Sequence, residues 1–239
     1  PAQRGHLHPY CRLTGAPSTL ISESLQIAQL QWPATLSVTA VIALVVCDMV
    51  DYRPGRYLFK PLAAAAFIWL ALTLGALQST YGGWLLAGLL LCMLGDLLLM
   101  PDSERCFLAG LGAFLCGHLL YAVAFWQLPS SLTGVAATAI PALILLVFVR
   151  RWLLPRVPAQ MKIPVTLYAL VITGMLLCAG LTASHPAAPL IITGAWGFAV
   201  SDLAVARRQF VQPSRWNGLW GTPLYFFSQM LLAASVALV

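Results

Sequence analysis

The sequence predicts an all-α membrane bundle of about eight transmembrane helices, and three observations carry that prediction. Apolar residues make up 60% of the chain and charged residues only 8%, whereas a soluble chain carries about 25% charged residues. The apolar residues gather into eight runs of near span length, with no strand-like alternation. The basic residues fall almost entirely into every second connection between those runs. A mean hydropathy of +0.86 leaves too few polar residues to cover a water-facing surface, so a soluble domain is excluded. The net charge of +6 is therefore read as orienting the chain in a bilayer, and nucleic acid is not an expected partner.

Residues 1–31 are mixed and polar and lack the long apolar run of a signal peptide. They are expected to form a leader, flexible or lying on a surface, ahead of a transmembrane domain over residues 32–239. The predicted spans are 32–50, 58–77, 83–100, 106–127, 131–149, 163–183, 187–206 and 219–239. Backbone groups in hydrocarbon must be paired within the segment, which makes each run a helix. Of the 13 Lys and Arg residues, all but Arg4 and Arg12 lie on one side of this arrangement. The positive-inside rule then puts the connections after spans one, three, five and seven in the cytoplasm and both termini outside. The expected location is a bacterial inner (plasma) membrane.

The halves of the chain are faintly alike. Lys60-Pro61 opens the second span and Lys162-Ile163-Pro164 the sixth; Gly95-Asp96-Leu97 ends the third and Ser201-Asp202-Leu203 the seventh. Lys60 to Asp96 is 36 positions and Lys162 to Asp202 is 40. These spacings are compatible with a 4+4 parallel repeat about an axis along the membrane normal, which would bring Asp96 and Asp202 face to face.

Charged residues inside spans are costly and mark functional sites. Asp96 and Asp202 each lie roughly one turn, or about 6 Å, inside a cytoplasmic end. Lys60 enters at the same level, with Tyr168, Tyr225 and Gln229 in the same half and His118 and Tyr121 deeper on one face of the fourth helix. The competing structural reading pairs Asp96 with Lys60 and Asp202 with Arg207 or Arg208, and leaves Asp48 as an interfacial residue. Gly88, Gly95, Gly110 and Gly117 fit close helix packing. Several chemistries are missing. The six cysteines include no C-x-x-C pair, so neither a zinc site nor a disulfide framework is expected. There is no G-x-S-x-G elbow, no H-E-x-x-H pair and no Gly-rich phosphate loop.

Five stretches carry a family resemblance: Lys60-Pro61-Leu62; residues 94–100 around Gly95-Asp96; Phe114 with Gly117-His118 and Tyr121; residues 197–202 ending in Ser201-Asp202; and residues 225–229 from Tyr225 to Gln229. With Tyr168 and Met175, they resemble the YhhN-type lysoplasmalogenase family from about residue 32 to the end. The resemblance implies a membrane hydrolase that cleaves the vinyl-ether bond of lysoplasmalogen to a fatty aldehyde and a glycerophospho-base. Its partners would be the lysophospholipid, water and the lipid bilayer, with no metal or cofactor. Vinyl-ether cleavage needs a proton on the alkenyl carbon and a negative group to steady the resulting cation, as in glycoside hydrolysis. Asp96 and Asp202 would be the catalytic pair, since two carboxyl groups close together in an apolar setting share a proton. Lys60, His118, Tyr121, Tyr168, Ser201, Tyr225 and Gln229 would bind substrate or orient water. Two other readings compete: a proton-coupled transporter or lipid carrier, and a scaffold whose aspartates hold helices together.

Overall fold

Each apolar run is a helix in the structure. The computed structural model describes the backbone of residues 16–239 and the side chains from residue 30 onward. The helices are α1 (Ala16–Met49), α2 (Arg53–Thr73), α3 (Thr80–Leu98), α4 (Glu104–Trp126), α5 (Leu132–Trp152), α6 (Lys162–Leu181), α7 (Ala188–Phe210) and α8 (Arg215–Ala234). No strand occurs among the described residues. All eight include a stretch long and apolar enough to cross a membrane, and the chain is a multi-pass membrane protein. Residues 16–31, which the sequence assigns to the leader, form the first turns of α1, and residues 1–15 lie outside the described residues.

Local chemistry sets the helix limits. Ser79 and Ser131 cap α3 and α5, their hydroxyls accepting from the amides of Gly82 and Gly134 at 3.0 and 3.2 Å. A proline opens α2 and another opens α7, where the missing amide hydrogen costs nothing. Just past the end of α2, Gly75 turns the chain with φ at 83°, a left-handed conformation suited to glycine.

Small residues draw the helices together. A Cβ on Gly88 would come within 2.5 Å of the Tyr121 ring, and one on Gly95 within 2.7 Å of the Phe114 ring, so α3 and α4 meet at glycine and aromatic side chains. Gly194 plays the same part against Leu232 between α7 and α8.

The pattern of neighbours repeats after four helices. The tight pairs α1–α2 and α3–α4 have counterparts in α5–α6 and α7–α8, and the packing of α8 on α2 has its counterpart in α4 on α6. The repeat is not complete, and its largest departure is at one seam. Helix α1 packs on α8, but its counterpart α5 makes scarcely any contact with α4. The main apolar core runs through both halves around Phe67, Leu85, Tyr121, Phe198 and Phe226. A second, smaller core of Leu153, Val157, Met161 and Val165 lies at the end where the basic connections emerge, beneath the α5–α6 link.

Ion pairs decorate that same end. Arg56 holds Asp48 at 3.4 Å and Asp51 at 3.0 Å, while Arg53 reaches Asp102 at 3.1 Å. Asp48 is thus engaged with Arg56 at the helix end, in keeping with its interfacial reading.

Candidate active site

Helices α2, α3, α6, α7 and α8 each send a polar side chain into one cavity of about 170 Å³ in the basic half of the bundle. Its lining includes Lys60, Asp96, Tyr168, Ser201, Asp202 and Tyr225. Asp96 and Asp202 therefore share a space, and their immediate partners differ.

Asp96 is nearly inaccessible, its side chain 3% exposed, and both carboxyl oxygens accept hydrogen bonds. Lys60 Nζ donates to Oδ1 at 3.2 Å and also to the Asp96 main-chain oxygen at 3.1 Å. The Tyr225 hydroxyl donates to Oδ2 at 2.7 Å. A cation on one oxygen and a hydroxyl donor on the other are the company of an ionised carboxylate. This donor chain extends away from the cavity. Tyr225 accepts from Gln229 Nε2 at 3.1 Å, and Gln229 Oε1 accepts from the Tyr121 hydroxyl at 2.8 Å. Tyr121 and Gln229 do not line the cavity; they fix the orientation of Tyr225 from behind.

Asp202 is more accessible, its side chain 17% exposed. Its Oδ2 accepts from the Tyr168 hydroxyl at 3.0 Å. Oδ1 has no hydrogen-bond partner among the described residues. Neither Arg207 nor Arg208 pairs with Asp202, so that alternative is not realised. The nearest basic group is His118, with Nε2 3.7 Å from Oδ2, beyond hydrogen-bond reach. His118 Nδ1 lies 2.7 Å from the Phe114 carbonyl oxygen and so carries the hydrogen that this contact requires. Nε2, fully buried, has no hydrogen-bond partner. His118 lies behind the cavity wall, as Tyr121 does. The Ser201 hydroxyl donates to the Phe198 carbonyl of its own helix at 2.7 Å.

Aromatic rings pack around these groups, with Phe114 and Phe226 in the cavity lining and Phe198 behind it. Phe198 stands between His118 and Tyr225, with ring centroids at 4.4 and 5.2 Å, and Phe114 meets Tyr225 edge-on at 5.9 Å. Phe114 and Phe198 belong to the stretches that carry the family resemblance, yet nothing in residue type marks an apolar ring as part of a polar site. Arg208, which the sequence offered only as a partner for Asp202, lines the cavity toward the basic ends of α7 and α8 together with Asn217 and Thr222, which sequence reasoning missed. Among the described residues, no three His, Cys, Asp or Glu side chains gather as a metal site.

The halves are related here too. Each aspartate meets a residue of the preceding helix and one from the last helix of the other half: Lys60 and Tyr225 around Asp96, Tyr168 and His118 around Asp202. The topology repeats while the chemistry does not.

Neither a curated protein nor a solved structure matches the chain. The YhhN family model matches residues 55–236, so α1 lies outside the matched region and both aspartates, with every partner named above, lie within it. The chain belongs to the YhhN family.

Proposed function

We propose that the protein is a lysoplasmalogenase-type hydrolase, which cleaves the vinyl-ether bond of a lysophospholipid by acid–base chemistry of Asp202 and Asp96. One observation carries the reading. Two carboxyl groups line the same largely apolar cavity, one bound to a cation and the other without one. Acid catalysis through a charged intermediate requires such a division, with environment assigning different roles to two identical groups.

Asp202 is the proton donor. It is the more accessible of the two, and its Oδ1 has no protein partner. Its proton passes to the alkenyl carbon not bonded to oxygen, leaving an oxocarbenium ion. Asp96, held as a carboxylate by Lys60 and Tyr225, steadies that cation across the cavity and takes a proton from the attacking water. The hemiacetal then collapses to a fatty aldehyde and a free glycerol hydroxyl. In that collapse Asp202, now a carboxylate, takes the hemiacetal hydroxyl proton while Asp96 gives the proton it took from water to the departing glycerol oxygen, so both groups are restored and the net change is addition of one water. Tyr168 orients Asp202 through the hydrogen bond on Oδ2. Arg208, exposed at the cavity rim and in no ion pair among the described residues, is placed to meet the phosphate. The basic connections favour a site toward the cytoplasm by the positive-inside rule, and a bacterial inner membrane is part of the same proposal.

The test is aldehyde release from lysoplasmalogen by purified protein in micelles. The wild type should turn over. Asp96→Asn and Asp202→Asn should each lower kcat by about 10²–10⁴-fold with the elution profile of folded protein. Near-normal activity in either variant would defeat the two-carboxylate scheme. Uptake of lipid by proteoliposomes without aldehyde would point to a carrier.

A further inference from the structure

The cavity has an apolar arm that the chemistry above does not use. Leu111 of α4, Leu145, Leu146 and Val149 of α5, and Val165 and Ile172 of α6 line it. Three features define what this arm can hold.

First, it is continuous with the space lined by Asp96 and Asp202, so whatever fills it is joined to the reacting group. Second, it is closed toward the basic end. Leu153, Val157, Met161 and Val165 form a buried floor, and Phe107 and Phe210 meet edge-on beside it, ring centroids 5.9 Å apart, tying the start of α4 to the end of α7. Third, it borders the seam where the four-helix repeat fails most widely. The equivalent seam in the other half is shut by α1 on α8, whereas α4 and α5 stand apart. Helix α5 is held instead on α6, where Gly134 and Gly180 bring the two backbones together near the opposite end. The lining residues Leu111, Leu145, Leu146 and Val149 are only partly buried, so the arm opens sideways at this seam.

A side opening in hydrocarbon admits hydrocarbon. We infer that the α4–α5 seam is the lateral entrance for the substrate's single hydrocarbon chain, and that the apolar arm bounded by Leu111, Leu146 and Val149 is the subsite that sets chain-length selectivity. This rests on the hydrolase reading for the identity of the chain. The polar end of the same cavity takes the headgroup toward Arg208 and Asn217, so the bond between chain and glycerol lies between the aspartates. The lipid enters from its leaflet and its chain does not cross water.

Two measurements test it. The first compares kcat/KM for lysoplasmalogens of long and short alkenyl chain. Leu146→Trp fills the arm and should lower the long-to-short ratio about tenfold, because overfilling a packed apolar site discriminates by size. Leu111→Phe, a smaller change from the facing helix, should move the ratio in the same direction. Leu143→Trp, on the lipid-facing side of α5 at 59% exposure, should leave it unchanged. An unaltered ratio in both arm variants would overturn the inference. The second measurement needs no turnover. A single-chain, saturated-ether lysophospholipid carrying a diazirine at its chain end is photolysed with wild-type protein in nanodiscs. Cross-links should concentrate on residues 107–114 and 145–153 and be lost in Leu146→Trp. Cross-links spread evenly over the lipid-facing residues of α1 and α2 would overturn it. Cross-links at the seam from a protein that releases no aldehyde would refute the hydrolase and leave the chain site standing.

Discussion

Lys60 reaches Asp96 through both a carboxyl oxygen and the main-chain oxygen, and Asp96 is buried. Breaking such a pair from one side leaves a charge without a partner, at a cost of about 3–5 kcal/mol, while removing both partners is far milder. Lys60→Met should therefore lower the thermal midpoint by several degrees and abolish turnover. Adding Asp96→Asn to Lys60→Met should restore part of the stability and none of the activity; thermal shift in detergent with the aldehyde assay reads both. One hydroxyl further back, Tyr121→Phe leaves Gln229 Oε1 without its donor inside the core. An orphaned buried acceptor costs about 1–3 kcal/mol. Because Gln229 in turn donates to Tyr225, kcat should also fall while KM changes little, the mark of a residue that positions and does not touch substrate. Residue type alone announced Asp96, Asp202 and Lys60, since a charge in a span stands out. It did not separate Tyr225, which lines the cavity, from Tyr121 and Gln229, which stand behind it, because helical spacing gives a face but not a depth.

At the scale of helices, glycine spacing decides how near α3 comes to α4. Gly88→Ala should drive Tyr121 from its place, lower the thermal midpoint and impair activity together. Gly83→Ala, where an added Cβ meets nothing within 4 Å, should leave both unchanged. The sequence showed these elements well. All eight spans appear in order, the ends differ by a few residues, and Gly88, Gly95, Gly110 and Gly117 all lie in close α3–α4 contacts as their spacing suggested. Hydropathy counts residues that tolerate lipid, and that count closely follows helix length. It was silent on the first turns of α1, where polar residues continue the helix beyond the apolar run. It was silent as well on which helices touch: α5 reads like any other span, yet it alone stands off from its predecessor where the repeat would close the seam.

Over the whole molecule, the basic connections emerge at one end and the cavity lies in that half. Single cysteines placed in a background lacking the six native ones give a direct check of orientation. A cysteine at Ser103 or Gln160 should react with a membrane-impermeant maleimide only in inverted vesicles or permeabilised cells. One at Ser130 or Pro186 should react in intact cells. The reverse pattern would move the candidate site to the outer leaflet and detach it from a cytoplasmic lipid pool. The faint duplication read from Lys60, Asp96, Lys162 and Asp202 is visible in the order of helix neighbours, but Lys162 does not reach Asp202, where Tyr168 stands instead. Pairing across the repeat was beyond sequence spacing because it depends on which helices interlock.

The last helix closes the ring. Helix α8 packs on α1, α2 and α7 and supplies Tyr225 to Asp96. Until α8 has been made and inserted, Asp96 lacks one of its two partners and the cavity lacks a wall. A chain stopped before α8 should therefore release no aldehyde, so the proposed chemistry would wait on assembly of the whole ring.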